Sequence, residues 1–448
     1  MSHHHPSVDV IVVGAGMAGL VCAERLRGRG REVLLLEARD QVGGRTAGIE
    51  VDGETVDLGG QFIGPGQDRI YALAAELGVP VFPTYTAGAN VLETETGRLR
   101  RFRGMVPRLG PLALLDVARA QSRLDRLART VDAEAPWRGQ DAADGQTLQS
   151  WIDRTLRTSG GRRFLVLACR AIWACEPSEL SLLHALFYVK SAGSLAAVTD
   201  FEGGAQQDRL EGGAYGVATR LAERLGASIR LNAPVQRIEQ NDSGVVVTAK
   251  DGTSWRARHV VVAVPPPLAA RIAFHPPLPA ARDDLPMGSV IKYVTGYPAP
   301  FWRQAGLSGS ALCMRGPIAM TVDSSPRSGR RGVLIAFVNG APARDLAARS
   351  PEDRRGILLD ALGHLFGPQA ATPASFVERN WNKEAFTRGA YSALFPPGAW
   401  TRLGAAWRAP AGRIHWAGSE TSPRWYGYID GAVRSGEAAA DAVAARLS

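Results

Sequence analysis

The sequence predicts an α/β fold in which a parallel-sheet domain is interrupted by a second, mixed α+β domain. Three observations predict it. A β-branched run, Val8 to Val13, leads at once into Gly14, Gly16 and Gly19 in a GxGxxG spacing. A helical segment from about Met17 to Arg27 follows, then a second strand, Glu32 to Leu36, ending in Glu37. Strands of the same buried type return much later, after a long block without any nucleotide signal, and 448 residues are too many for one small core.

The short apolar run reads as a strand buried on both faces. Gly14 permits the tight turn out of it, Gly16 lets backbone N–H groups approach a pyrophosphate, and Gly19 lets the helix pack on the sheet. The positive end of the helix then faces the phosphates. Ala15, Met17 and Ala18 complete this turn, and Glu37 stands where a carboxylate accepts hydrogen bonds from a ribose diol. Strand, turn, helix, strand and acid occur in the order that a Rossmann-like dinucleotide site requires. Ala38 and Arg39, then Gly43, Gly44 and Arg45, form a second glycine turn suited to the far side of a long cofactor. This extension resembles the flavoproteins built on the GR2-type FAD fold, which implies FAD.

Hydrophobic content of 45% and charged content of 21% are those of a soluble globular protein. The four cysteines, at 22, 169, 175 and 313, have no metal-ligand spacing and read as reduced core residues of a cytoplasmic protein. The net charge of +9 comes from scattered arginines without interleaved aromatics, which argues against nucleic acid. No signal peptide and no membrane span are expected. His3, His4 and His5 read as an exposed tail, and no metal is expected.

Residues 1–80 are therefore assigned to the first part of the FAD-binding domain. After Gly48 to Gln61, whose glycine pair allows approach to a flat ring, Pro65 to Gly78 gives a short helix. From Val81 the texture changes, and 81–210 reads as the first part of the substrate domain. Thr84 to Arg103 alternates like strand, Leu112 to Ala143 is helical, Thr147 caps a helix reaching Thr158, and Phe164 to Lys190 is apolar at helical spacing. Residues 211–290 return to the cofactor domain, with a helix Val217 to Leu225 and strands Ile229 to Leu231, Val235 to Gln240, Val245 to Ala249 and Arg258 to Val264. Residues 291–388 form the second part of the substrate domain, with strands near Ala319 to Val322 and Val333 to Val338 and a helix Pro351 to Phe366. Residues 389–448 close the cofactor domain with a helix Ile429 to Leu447, packed through Ala432, Gly436, Ala439, Ala440 and Val443.

Seven blocks now stand in order along nearly the whole chain: DLGGQFIGPGQDRI, ALFYVK, VVVAVPPPLAARIAFHPPLP, PMGSVIKYV, ERNW, FPPG and GSETSPRWYGYIDGA. In these the chain resembles the flavin-containing amine oxidases, most closely the monoamine oxidases. The resemblance implies that Lys292 holds a water near flavin N5. It implies that Tyr391 and Tyr428 form an aromatic cage, whose faces attract an amine nitrogen. Trp381 falls at a position near the flavin and Val235 at the adenine. Gly60, Gln61, Phe62, Gly418, Ser419, Glu420, Tyr428, Ile429 and Ala432 join the cofactor set, and Thr199, Gln206 and Phe337 join Tyr391 and Tyr428 in the substrate pocket. Lys292 also stands out unaided, because a lone lysine in an apolar strand is costly without partners.

The implied reaction is oxidation of an amine to an imine by hydride transfer to flavin N5, with oxygen reduced to hydrogen peroxide and the imine hydrolysed to a carbonyl. Two departures matter. Ala390 occupies the place of the cysteine that bonds flavin covalently in the mitochondrial enzymes, so non-covalent FAD is expected. The chain also stops at Ser448 where those enzymes carry a membrane tail. The partners expected are a small amine and oxygen, with a homodimer by family likeness alone. Two alternatives stay open. One is an oxidase or desaturase acting on an amino acid, amide or carbon–carbon bond, for which Arg170 or Arg315 would have to meet a carboxylate. The other is a non-redox isomerase.

Overall fold

A computed structural model describes residues 7–51, 53–104, 107, 109–278 and 285–447; the three histidines of the N-terminal tail lie outside these. The expected mixed architecture is present. In the larger sheet, strands Ile229–Arg230, Val33–Leu36, Val8–Val13 and Ser254–Val262 run parallel side by side, and Ile414–Trp416 pairs with the upper half of the last of these. The strands Gly244–Ala249 and Val235–Asn241 extend it as an antiparallel meander.

Helix Met17–Arg27 covers this sheet and packs along the last helix, Ile429–Leu447. Glycine decides how closely they approach: a Cβ on Gly436 would lie 2.4 Å from the carbonyl oxygen of Ala18. The last helix is also tied to helix Asp68–Glu76, whose Arg69 and Ile70 amides donate to Asp430 at 2.8 and 3.0 Å.

The second sheet runs in the order Ser375–Asn380, Val290–Tyr297, Gly332–Asn339, Ile318–Asp323, Leu307–Cys313, Ala89–Glu93, Leu99–Phe102. Helices line its other side. The Leu112 to Ala143 stretch is not one helix: it stops at Arg129, where Thr130 caps it, and resumes only as a single turn at Asp141–Asp144. The intervening segment holds Pro136, which restricts the residue before it to extended backbone. Phe164 to Lys190 likewise divides into Ser159–Trp173 and Leu182–Ala192, with Ala174 left-handed at φ 55° between them. Thr147 caps its helix, its hydroxyl accepting from the Ser150 amide at 3.1 Å. Among the described residues, no helix is long and apolar enough to cross a membrane.

Candidate active site

A cavity of about 370 Å³ runs between the first glycine turn and the second sheet. Its first stretch is walled by backbone. Gly14, at φ 103°, carries no side chain because a Cβ would meet the Ala263 carbonyl at 2.9 Å. Gly43 and Gly44 are also left-handed, and a Cβ on Gly44 would fall 3.0 Å from the Cα of Gly16. The two glycine turns therefore pack on each other and leave a cradle. No side chain caps the helix end that begins at Gly16, so its first N–H groups remain available to an anion. Glu37 lines the same stretch; its Oε2 accepts from the Ala15 amide at 2.7 Å and its Oε1 from the Arg39 amide at 3.0 Å. A carboxylate has lone pairs left for a diol. Beyond it, Val235, Ala233 and Pro234 give an apolar slot. These features fit the adenosine diphosphate half of a dinucleotide.

The other end reaches Lys292, Trp381, Tyr391 and Tyr428. Lys292 is 1% exposed on strand Val290–Tyr297, between strands Ser375–Asn380 and Gly332–Asn339. Its Nζ donates to the carbonyls of Asp57 at 2.8 Å and Gly59 at 3.0 Å and to Gln61 Oε1 at 2.6 Å. Burial lowers its proton affinity to about 7, the Asp57 charge works the other way, and Arg209 adds to the lowering. Asp57 itself anchors helix Gly213–Leu225 by accepting from the amides of Ala214 and Tyr215, both at 3.3 Å. Trp381 is buried beside this group, its indole N–H bonded to the Leu58 carbonyl at 3.0 Å.

Tyr391 and Tyr428 line this cavity and a second one, of about 410 Å³, so the two spaces share a wall there. Each ring is held from behind. The Asn339 amide donates to the Tyr391 hydroxyl at 3.1 Å, and the Tyr188 ring stands 5.7 Å from Tyr428 centre to centre, tilted by 44°. Burial raises the proton affinity of both phenols, so both are neutral. The second cavity is walled by Phe164, Leu165, Ala168, Ile172, Leu195, Leu312, Met320 and Phe337, with Thr199 and Gln206 among its polar residues. Among its described lining residues there is no Lys, Arg or His, and Asp200 is the single carboxylate.

The structure thus gathers most of the predicted residues on the two cavities and separates five from the cofactor stretch. Ala15 and Gly19 are buried in the helix–sheet packing, where a Cβ on Gly19 would sit 1.9 Å from the Gly14 carbonyl. Gln61 and Phe62 line the second cavity, because the chain turns after Gly60 into strand Phe62–Ile63. Glu420 forms a buried ion pair with Arg45, with Nη2 to Oε2 at 2.9 Å, and Arg45 is the member facing the cavity. Burial alone would raise the pKa of Glu420, but Arg45 outweighs it and holds the carboxylate below its usual range. Asn339 and Tyr188 went unread, since nothing in their spacing marks them. The helix face Leu165, Ala168, Ile172 does repeat at three and four and was a legible wall. Arg170 is paired with Glu176 at 2.9 Å and Arg315 lies beside Gly97, and neither lines either cavity.

Residues 17–444 match the family model described as flavin containing amine oxidoreductase. A Mycobacterium tuberculosis protein provisionally named flavin-containing monoamine oxidase AofH is 43% identical over 98% of this chain and 97% of its own length. An L-amino acid dehydrogenase of Synechocystis is 37% identical over 98% of this chain and 95% of its own. The solved structure of cyclohexylamine oxidase from Brevibacterium oxydans superposes with a TM-score of 0.93 at 34% identity, over 99% of this chain and 100% of that one.

Proposed function

Because this chain belongs to the flavin-containing amine oxidoreductase family, we propose that it is an FAD-dependent oxidase of amines with an apolar body, releasing hydrogen peroxide. The observation that carries this is the shared wall: an apolar cavity without a cationic side chain meets the cofactor cavity at two neutral tyrosines. A carboxylate entering it would be buried without a partner, at a cost of several kcal/mol. An amine entering neutral meets ring faces that attract its nitrogen. Tyr391 and Tyr428 orient the amine, fixed in turn by Asn339 and Tyr188, and the surrounding apolar side chains exclude water. The bound flavin supplies the two-electron acceptor. Lys292, its three hydrogens taken by three oxygens, places an ammonium group at the cavity wall beside Trp381. FAD is held non-covalently in this reading, since all four cysteines are buried away from the cavity and Ala390 precedes Tyr391.

A peroxide-coupled screen tests the substrate class. Aliphatic and aromatic monoamines, diamines and the matching amino acids would be compared with the flavin-loaded protein. Apolar monoamines are expected to turn over, with kcat/KM for the matching amino acids at least about 100-fold lower. Equal turnover of an amine and its amino acid would sink the reading and favour the function named for the Synechocystis relative.

A further inference from the structure

A third cavity, of about 330 Å³, shares no lining residue with the other two. Arg209 enters it from strand Asp208–Leu210. One guanidinium nitrogen, Nη1, donates to the Ser325 carbonyl at 2.7 Å, but Nε is sealed from solvent with no hydrogen-bond partner. Among the described residues no carboxylate lies within ion-pair distance of it, and no Asp or Glu lines the cavity. Asp57 and Asp323 act on this half-buried charge from beyond ion-pair distance and the Phe82 ring stands 5.1 Å from the guanidinium carbon, but the Nε donor stays unmet, which is costly. A second cation, Arg331, and four hydroxyl-bearing residues, Thr55, Tyr297, Ser324 and Ser375, line the same space. Ser324 Oγ accepts from Gln61 Nε2 at 3.1 Å, which leaves its own hydrogen to donate, and Ser375 Oγ lies across the sheet. The rest of the wall is largely apolar, including Val294, Val333 and Val377.

We propose that this cavity is a binding site for a small carboxylate with an apolar body, held by Arg209, Ser324 and Ser375. The charge meets the guanidinium and the hydroxyls, and the body meets the valines. The site communicates with the candidate active site through two hydrogen bonds, Ser324 to Gln61 and Gln61 to Lys292, the latter at 2.6 Å. An anion there neutralises the Arg209 charge that acts on Lys292 and Asp57, so occupancy tunes the lysine; this regulatory part rests on the oxidase reading, whereas the binding part does not. The oxidation of an aldehyde product to its acid, a reaction class that consumes this enzyme's product, yields a ligand of this chemistry.

Calorimetry on the full-length, flavin-loaded protein tests it, with benzoate as probe and inorganic phosphate as a charged probe lacking the apolar body. Benzoate is expected to bind at one equivalent, and more tightly than phosphate. Arg209→Gln removes one of the two lining cations and Val377→Phe fills the cavity while keeping both. Each should weaken benzoate at least tenfold, and saturating amine-site inhibitor should leave the affinity unchanged. Benzoate affinity that is unaltered in the folded Val377→Phe protein, or that is abolished by the amine-site inhibitor, would overturn the proposal. If benzoate binds through Arg209 in a protein that oxidises no amine, the site stands and the oxidase reading alone fails.

Discussion

Lys292 shows how a single residue is readable from sequence while its surroundings are not. An ammonium in the middle of VIKYV had to be partnered, and three oxygens between 2.6 and 3.0 Å take its three hydrogens. Two of these are backbone carbonyls, of Asp57 and Gly59, which no residue type announces. The third, from Gln61, was assigned to the cofactor because a glutamine in a glycine-rich turn can face either way. With the proton affinity lowered to about 7 by burial, the side chain loses its charge as pH rises through neutrality. In the proposed reaction, a cation beside the site of oxygen reduction stabilises developing negative charge. Flavin reoxidation by oxygen, followed by stopped flow, should therefore slow as pH rises through about 7. Lys292→Met should be slower by an order of magnitude or more and lose that inflection. The stability sign is separate: the unfolded lysine keeps its proton to higher pH, so this group adds stability as pH rises above about 7. A variant with an unchanged oxidative rate and profile removes the role.

The elements of the cofactor half were legible because their signals are local. The first helix begins at Met17 and the last at Ile429, as the glycine turn and the apolar spacing dictate. Strand Leu307–Cys313 was not, because Ser308, Gly309 and Ser310 break its apolar alternation and only its neighbours make it a strand. The break after Arg129 was missed for the converse reason: amphipathic periodicity ran on in composition after the backbone had turned. Contact between the two terminal helices gives a prediction at this scale. Gly436→Val forces a side chain against the Ala18 carbonyl and Val21, which costs about 1–3 kcal/mol. It should lower Tm and, since Ile429 and Ala432 of the same helix line the cofactor cavity, lower the flavin-to-protein ratio. Gly356→Ala is the control, a helical glycine whose added Cβ meets nothing within 4 Å. It should raise stability by about 0.5–1 kcal/mol. If both variants melt alike, the close approach is not what sets the helix.

At the scale of the whole molecule, the site exists only because distant stretches converge. Glu37, Lys292, Tyr391 and Tyr428 come from four parts of the chain and line one cavity, which shares a wall with the second at the two tyrosines. Sequence blocks in a fixed order revealed which stretches converge, but not that Arg45 is held by Glu420, nor that Asn339 stands behind Tyr391. The same convergence decides how the cofactor is retained. Cys22 lies on the buried face of the first helix, Cys169 and Cys175 in the helical core, and Cys313 in the second sheet, all buried. Burial raises the pKa of Cys22 to about 12 and also that of Cys313, so both are protonated and unreactive as thiols. On the proposed non-covalent attachment, retention depends on the folded cradle alone and unfolding releases the cofactor. Acid precipitation of the yellow protein should leave a colourless pellet and one equivalent of FAD per chain in the supernatant, measured by absorbance and by chromatography against authentic FAD. Colour that stays with washed, denatured protein would show a covalent bond and would overturn non-covalent attachment while leaving the amine chemistry intact.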